Sequence, residues 1–387
     1  MTAVAEHPEI DEIRALAARV AAEVFGPSAA ERDAARAPVP ETERRRLGEL
    51  GFLGIALPER FGGAGAPLPQ ALAVIEEFAK VSRPAAFQIF EANTGPAQVI
   101  NHLGTEEQRA RWLPPIIRGE STMAVAISEP DAGSAATDMR TRAEPVPGGY
   151  VVNGVKRWIS NGGEADRYLL YCRMGDAPGS KGIGAVVVEK GMPGLSFGPP
   201  ERLMGFRGIP SADVILDGVR VPEENVVVPA GGFGRLFGVF SIERLGNSTM
   251  SLAIGQAALD RTREYVRRRE QFGKPLVEFQ SVQLTLADML LQVESARLLV
   301  ERAAAGAGTG LPDPLHTSLA KCAANEMAKR VTDLAMQLHG GNGYTEEYGI
   351  ERLHRDAHGW AIAGGTPTMQ RIRIASELLG RRFDQRR

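Results

Sequence analysis

Five short runs, MAVAIS (123–128), YVVNGVKRWIS (150–160), RYLLYCRM (167–174), IGAVVVE (183–189) and ADVILDGVRV (212–221), decide how this chain is divided. Each is rich in β-branched or apolar residues and is bounded by Gly or Pro, the pattern of antiparallel strands in a sandwich or barrel. On either side the period changes. Upstream, EIRALAARVAAEVF (12–25) and PQALAVIEEFAKV (69–81) repeat apolar residues every three or four positions, as amphipathic helices do. Downstream of the Gly-rich joint PAGGFG (229–234) the helices return and lengthen, in LADMLLQVESARLLVERAAA (286–305) and LHTSLAKCAANEMAKRVTDLAMQLHGG (315–341), whose glycines suit a terminator. The expected class is α+β multidomain: an N-terminal helical domain over 1–122, a middle antiparallel β-barrel or sandwich domain over 123–235, and a C-terminal helical bundle over 236–387.

Composition narrows the function. A chain of 387 residues can bury more than one core. Its 45 Lys and Arg against 47 Asp and Glu are scattered rather than gathered in a stripe, which argues against nucleic acid as the main partner. Two distant cysteines, Cys172 and Cys322, make neither a disulfide framework nor a thiolate metal cluster, as in a reducing compartment. The start MTAVAEHPEIDEI carries acids where a targeting peptide carries bases, and no uncharged apolar run approaches the ~20 residues of a membrane span. A soluble cytoplasmic protein is expected.

Three motifs fail on context. Gly194-Leu195-Ser196-Phe197-Gly198 fits a nucleophile elbow, but Pro193 and Pro199 flank it within strand-like sequence. His354 and His358 have the i, i+4 spacing of a zinc pair but lack a third ligand, so they read as helix-face histidines and no metal is expected. No Gly-rich nucleotide loop follows a strand.

The stretch LFGVFSIERLGNSTMSLAIGQAAL (236–259) holds only two charges, Glu243 and Arg244. Adjacent helical residues point about a hundred degrees apart, so the two face different surroundings. From the residues alone the pair reads as a buried structural ion pair.

Taken together, MAVAISEPDAGS (123–134), GYVVNGVKRWISNGG (149–163), RREQFGKPLVEFQ (268–280), AMQLHGGNGYTEEYGIERLHRDA (335–357) and GGTPTMQR (364–371) resemble the acyl-CoA dehydrogenase family, in order and over almost the whole chain. The resemblance implies a helical, β-barrel and helical-bundle fold and FAD-dependent removal of two hydrogens across the α,β carbons of an acyl thioester. It implies that Ser128 and Ser160 bond the flavin ring, that Trp158 packs beside it, and that Ser134 lies near the phosphates and the thioester arm. It implies that Arg269, Phe272, Gln280, Gln337 and Gly341 hold the adenine half of FAD from a neighbouring subunit, hence a homo-oligomer, a tetramer. Thr366 matches a further flavin contact, although Pro367 and Thr368 depart from the commoner wording there.

The resemblance also changes the reading of Glu243. Most relatives carry the catalytic glutamate where this chain has Gly364. A minority branch, the isovaleryl- and long-chain-type enzymes, carries it immediately before an arginine, where Glu243-Arg244 stands. Glu243 is thus implied as the base, its pKa raised by an apolar wall. Phe240, Arg244, Ala363, Gly364 and Gly365 are implied to line the substrate, with Arg244 orienting the helix or the thioester arm and the Gly364 N–H available to the thioester carbonyl. Ala363 and Gly364 leave room for a short or branched acyl group. Gln88 and Glu91 correspond to the inner end of the pocket, where Glu91 reads either as a polar floor or as a solvated helix residue. Ser241 replaces an aspartate that bonds the pantetheine arm, which keeps acyl carrier protein open beside coenzyme A. An electron-transferring flavoprotein is the implied acceptor, with oxygen or a non-catalytic thioester-binding role as alternatives.

Overall fold

The computed structural model describes residues 8–308 and 310–383. Helices α1 (Pro8–Val20), α2 (Ala29–Ala35), α3 (Glu41–Glu49), α4 (Leu68–Val81), α5 (Arg83–Asn93), α6 (Pro96–Leu103) and α7 (Glu106–Ile117) come first. Prolines stand in the first turn of α4, α5 and α6, where a missing N–H costs nothing. Thr105 caps α7 in a reciprocal box with Gln108, and the Gln108 amide donates onward to the carbonyls of Glu224 and Val226, tying the helix to the sheet. Helix α4 is buried from Ala71 to Ala79, its acids included. Glu76 lies there between Arg14 and Arg297, both at 2.9 Å. Burial would raise its pKa, but the cations outweigh burial and hold it at about 2.

The sheet comprises β1 (Met123–Ala126), β2 (Arg142–Val146), β3 (Gly149–Ser160), β4 (Arg167–Arg173), β5 (Ile183–Glu189), β6 (Leu195–Phe197), β7 (Ser211–Pro222) and β8 (Val226–Val228), in the order β6-β7-β3-β2-β4-β5-β8. Most neighbours are antiparallel, as the turn spacing predicts. Strand β1 instead runs parallel to β4, Met123 opposite Arg167, which is possible because the intervening β2 and β3 supply the crossover that parallel strands require. β4 and β5 read as continuous apolar runs because both their faces are covered. Tyr168, Leu170, Cys172, Val186 and Val188 fill the interior of the β domain, while Leu169, Tyr171, Ala185 and Val187 join the helical core. Ser196 sits in edge strand β6, paired with Ile215, and not at a strand-to-helix elbow.

The chain closes with α8 (Phe233–Arg268), α9 (Gln280–Ala305), α10 (Pro314–His339), α11 (Gly341–Tyr344), α12 (Ile350–Ile362) and α13 (Pro367–Leu378). Helix α8 runs 36 residues through the centre and is enclosed on nearly all sides between Val239 and Leu259, which explains its scarcity of charge. At Gly246 a Cβ would lie 2.3 Å from Thr94 Oγ1 and 2.7 Å from the Phe90 ring, so only glycine lets α5 approach α8 this closely. Asp356 of α12 joins all three regions: it accepts from Arg83 Nε at 2.9 Å and from the Phe206 N–H at 2.7 Å.

Candidate active site

Glu243 lies in the first third of α8, half-buried, with Arg244 beside it and Lys321 of α10 nearby. Desolvation raises its carboxyl pKa to about 8 against the opposing pull of Arg244 and Lys321. A carboxyl with that value changes charge near neutral pH, as a proton acceptor in catalysis must. Arg244 does not neutralise it: the guanidinium stacks over Phe240 at 5.1 Å and Phe237 at 5.6 Å, and its Nε donates to the Gly364 carbonyl at 3.4 Å. The two neighbouring charges therefore do face different surroundings, and Arg244 fastens the 363–365 segment to α8.

Beneath that segment runs a buried polar network. Lys321, fully enclosed, donates to Asn325 Oδ1 at 2.7 Å and to the Trp360 carbonyl at 3.4 Å. Asn325 donates to Asn247 and Ser251, and Asn247 donates to the carbonyls of Trp360 and Ala363. Gly364 has φ +69°, and a Cβ there would meet Lys321 Cε at 3.4 Å, so the left-handed backbone itself favours glycine. Burial and the Arg244 charge lower the Lys321 pKa to about 7. Sequence reasoning missed this lysine. Its signal is present in SLAKCAANEMA, where Lys321, Ala324, Asn325 and Ala328 share one helical face with small residues, a face that must be buried. Because Lys321 lowers the Glu243 pKa, Lys321→Met should move the acidic limb of the pH profile for kcat/KM to higher pH. A limb that stays in place would make the lysine purely structural.

Phe240 is buried against this site, Ala363 is exposed, and Gly364 and Gly365 are half-buried. Thr366 caps α13 by accepting the Met369 N–H at 3.3 Å, and Pro367 takes the first helical position, so the departure from common wording is structurally neutral. Ser241 is buried, 1% exposed.

The loop between β1 and β2 carries Ser128 and Ser134 and is locked by a second buried pair. Lys156 of β3 donates to Glu129 Oε1 at 2.8 Å and to the Ile127 carbonyl at 2.9 Å, while Glu129 also accepts the N–H groups of Arg140 and Thr141. The Arg157 N–H donates to the Ser128 carbonyl at 2.8 Å, which sets Ser128 beside Trp158. Trp158 occupies a bulge in β3 with φ +62° and is 52% exposed, its ring stacked on the Arg157 guanidinium. Ser160 ends the strand, half-buried, and Ser134 is exposed. Two hydroxyls beside an outward-facing indole suit a planar heteroaromatic ring, so these residues fit a flavin.

The structure places the remaining matched residues away from Glu243. Arg269, Phe272, Gln280, Gln337 and Gly341 are all exposed at the end of the C-terminal bundle, where α8, α9 and α10 come together. Phe272, 95% exposed at the tip of a two-residue-strand hairpin, packs edge-on against Phe279. His354 and His358 share one face of α12, their rings 5.0 Å apart, and His354 Nδ1 pairs with Thr332 Oγ1. Among the described residues, no helix is long and apolar enough to cross a membrane.

Three family models match the chain in succession: the acyl-CoA dehydrogenase N-terminal domain over residues 7–120, the middle domain over 124–219 and the C-terminal domain over 230–379. The chain belongs to the acyl-CoA dehydrogenase family. It is 37% identical to the 3-sulfinopropanoyl-CoA desulfinase of Paraburkholderia xenovorans, with 97% of each chain covered. Its fold matches butyryl-CoA dehydrogenase from Megasphaera elsdenii with a TM-score of 0.93 at 33% identity, covering 97% of this chain and 99% of the other. It also matches, with a TM-score of 0.94 at 34% identity and 97% and 99% coverage, a chain solved in work on the electron-transferring flavoprotein of Acidaminococcus fermentans. As an acyl-CoA dehydrogenase family member the protein is a flavoprotein oxidoreductase.

Proposed function

We propose that this acyl-CoA dehydrogenase relative removes two hydrogens across the α,β carbons of a short or branched acyl thioester, with Glu243 as the base. The observation that carries the reading is the Glu243 carboxyl, raised by burial to about 8 while its arginine neighbour bonds the Gly364 carbonyl. Glu243 takes the α-proton, whose acidity is too low for water to remove it at a useful rate. The Gly364 N–H, in a segment anchored by Arg244 and Asn247, would polarise the thioester carbonyl. Phe240, Ala363 and Gly365 keep that neighbourhood compact. FAD, when bound, supplies the hydride acceptor. Ser128, Ser160 and Thr366 would hold its ring, Trp158 would flank it, and Ser134 would meet the phosphates and the thioester arm.

The adenine half is assigned to Arg269, Phe272, Gln280, Gln337 and Gly341 of a neighbouring subunit, in a homotetramer. Leu284, Leu291 and Leu298, seven residues apart along α9 and 61%, 67% and 59% exposed, support such an assembly, because a heptad stripe of bare leucines is the pattern of a helix partner. Sedimentation should find a tetramer for the native chain and smaller species for Leu291→Asp, with weakened flavin retention. An unchanged mass in the variant would remove α9 from the interface.

Electrons would leave to an electron-transferring flavoprotein, and the chain would work in the cytoplasm, consistent with two unpaired buried cysteines. The division at 122/123 and 235/236 belongs to the same proposal. Ser241 supplies no carboxylate for a pantetheine arm, so an acyl-carrier-protein substrate is the second reading. The test is anaerobic bleaching of the flavin by straight and branched acyl groups, each carried on coenzyme A and on carrier protein. Bleaching supports the reading and the better carrier selects between its two forms; a flavin that no thioester bleaches refutes it.

A further inference from the structure

Tyr171 is buried with nothing to bond. Along β4 the side chains alternate, so that Tyr168, Leu170 and Cys172 fill the β domain while Tyr171 points into the helical core. Its partner across the sheet is Ala185, small enough to leave room for the ring. That ring stands edge-on to Phe237 of α8, centroids 6.4 Å apart, and Phe237 in turn lies 5.6 Å from Phe240. Phe237, Phe240 and Arg244 share one face of the helix, and Glu243, three residues after Phe240, borders it. Tyr171 thus meets α8 along the stripe that leads to the base. Its hydroxyl is fully enclosed and has no hydrogen-bond partner.

The Glu243 carboxyl is as poorly supplied: among the described residues, no hydrogen bond reaches it. Once ionised it is an acceptor only, and needs a donor. The charged groups around it are engaged or face elsewhere. Arg244 lies over Phe237 and Phe240, bonds the Gly364 carbonyl and feels the charge of Arg373 of α13. Lys321 of α10 donates to Asn325 and to the Trp360 carbonyl. Glu91 of α5 borders a small cavity to which α8 contributes no wall, and burial holds its carboxyl well above the ordinary range, so it keeps its proton. Tyr171 remains, and it feels the Glu243 charge ahead of that of Arg244. Burial also pushes the phenol upward, so Tyr171 stays protonated and able to donate. An unmet donor and an unmet acceptor therefore adjoin one face of α8. We infer that Tyr171 is a positioning residue for the base: its hydroxyl donates a hydrogen bond to the ionised Glu243 carboxylate and aims that carboxylate for proton transfer. This rests on the dehydrogenation reading only in taking Glu243 to be the base.

The holoenzyme is titrated with rising pH. Infrared difference spectra follow ionisation of the Glu243 carboxyl, identified as the signal missing from Glu243→Gln. A hydrogen bond to the charged form favours that form, so Tyr171→Phe should move the midpoint to higher pH by about one unit, tenfold in the ionisation constant. Fluorotyrosine at position 171, a more acidic donor of nearly the same shape, should move it the other way, and decides alone should the phenylalanine variant fail to fold. At neutral pH Tyr171→Phe should also slow anaerobic reduction of the flavin by butyryl-CoA about tenfold, with Kd unchanged. In a Glu243→Gln background it should cost nothing further. A midpoint unmoved in both variants overturns the inference, as does an equal loss of rate with and without Glu243. An idle buried hydroxyl gives that unmoved midpoint, because its removal leaves no group unpaired. The inference and the dehydrogenation reading fail separately. A shifted midpoint in a protein whose flavin no thioester bleaches supports the Tyr171 bond and refutes dehydrogenation, while bleaching with an unmoved midpoint does the reverse.

Discussion

Glu243→Gln is expected to slow anaerobic reduction of the flavin by an acyl thioester about 10³-fold, within the 10²–10⁴ that a positioned base contributes. Flavin should remain bound, because the carboxamide fills the same space and the β1–β2 loop is anchored through Lys156 and Glu129. Stopped-flow absorbance at saturating substrate separates the step from binding: a fall in the limiting rate with little change in Kd is the mark of an interaction used mainly in the transition state. In the native enzyme the rate should rise with pH through about 8, since only ionised Glu243 accepts a proton. That rise should disappear in the variant. Within a factor of two or three of native activity, the variant would remove Glu243 from the chemistry.

Lys156→Met is expected to cost about 3–5 kcal/mol of stability and most of the bound flavin. The lysine is fully buried and its partner Glu129 nearly so, with 0% and 6% of their side chains exposed. Burial alone would raise the Glu129 carboxyl pKa, but the Lys156 charge and the N–H of Arg140 more than offset it and hold the carboxyl below its ordinary value. Methionine keeps the volume and strands the carboxylate. The loop carrying Ser128 and Ser134 then loses the anchor that ties it to Trp158 and Ser160. Chemical denaturation and the flavin-to-protein absorbance ratio measure both effects. Glu129→Gln combined with Lys156→Met should recover part of the stability, because no uncompensated charge remains. A single variant as stable as the native protein, with flavin retained, would show that the pair does not position the loop.

Much of the architecture was readable because it follows from local period. The 3.6-residue repeat in PQALAVIEEFAKV and the β-branched runs after Met123 each reflect one element burying one face or two. The parallel pairing of β1 with β4 was not readable, since pairing direction depends on which distant segments meet and not on the strand itself. The same distinction holds at the site. Glu243 was conspicuous because a charge interrupts an apolar helix. Lys321 and Lys156 were not, because lysine is ordinarily a surface residue and nothing within its own helix or strand reveals that Asn325 or Glu129 waits across the fold. Tyr171 belongs to the same class: its hydroxyl is buried without a partner in the neighbourhood of Glu243 and Arg244, although RYLLYC reads only as a strand.

The most direct test of the central claim is a crystal structure of the flavin-loaded protein with a non-oxidisable acyl-CoA analogue. One Glu243 oxygen should lie about 3–3.5 Å from the α-carbon, on the side of the acyl chain opposite the flavin. A Glu243 carboxylate turned away from that carbon, with Glu91 or another acid in its place, would contradict the account.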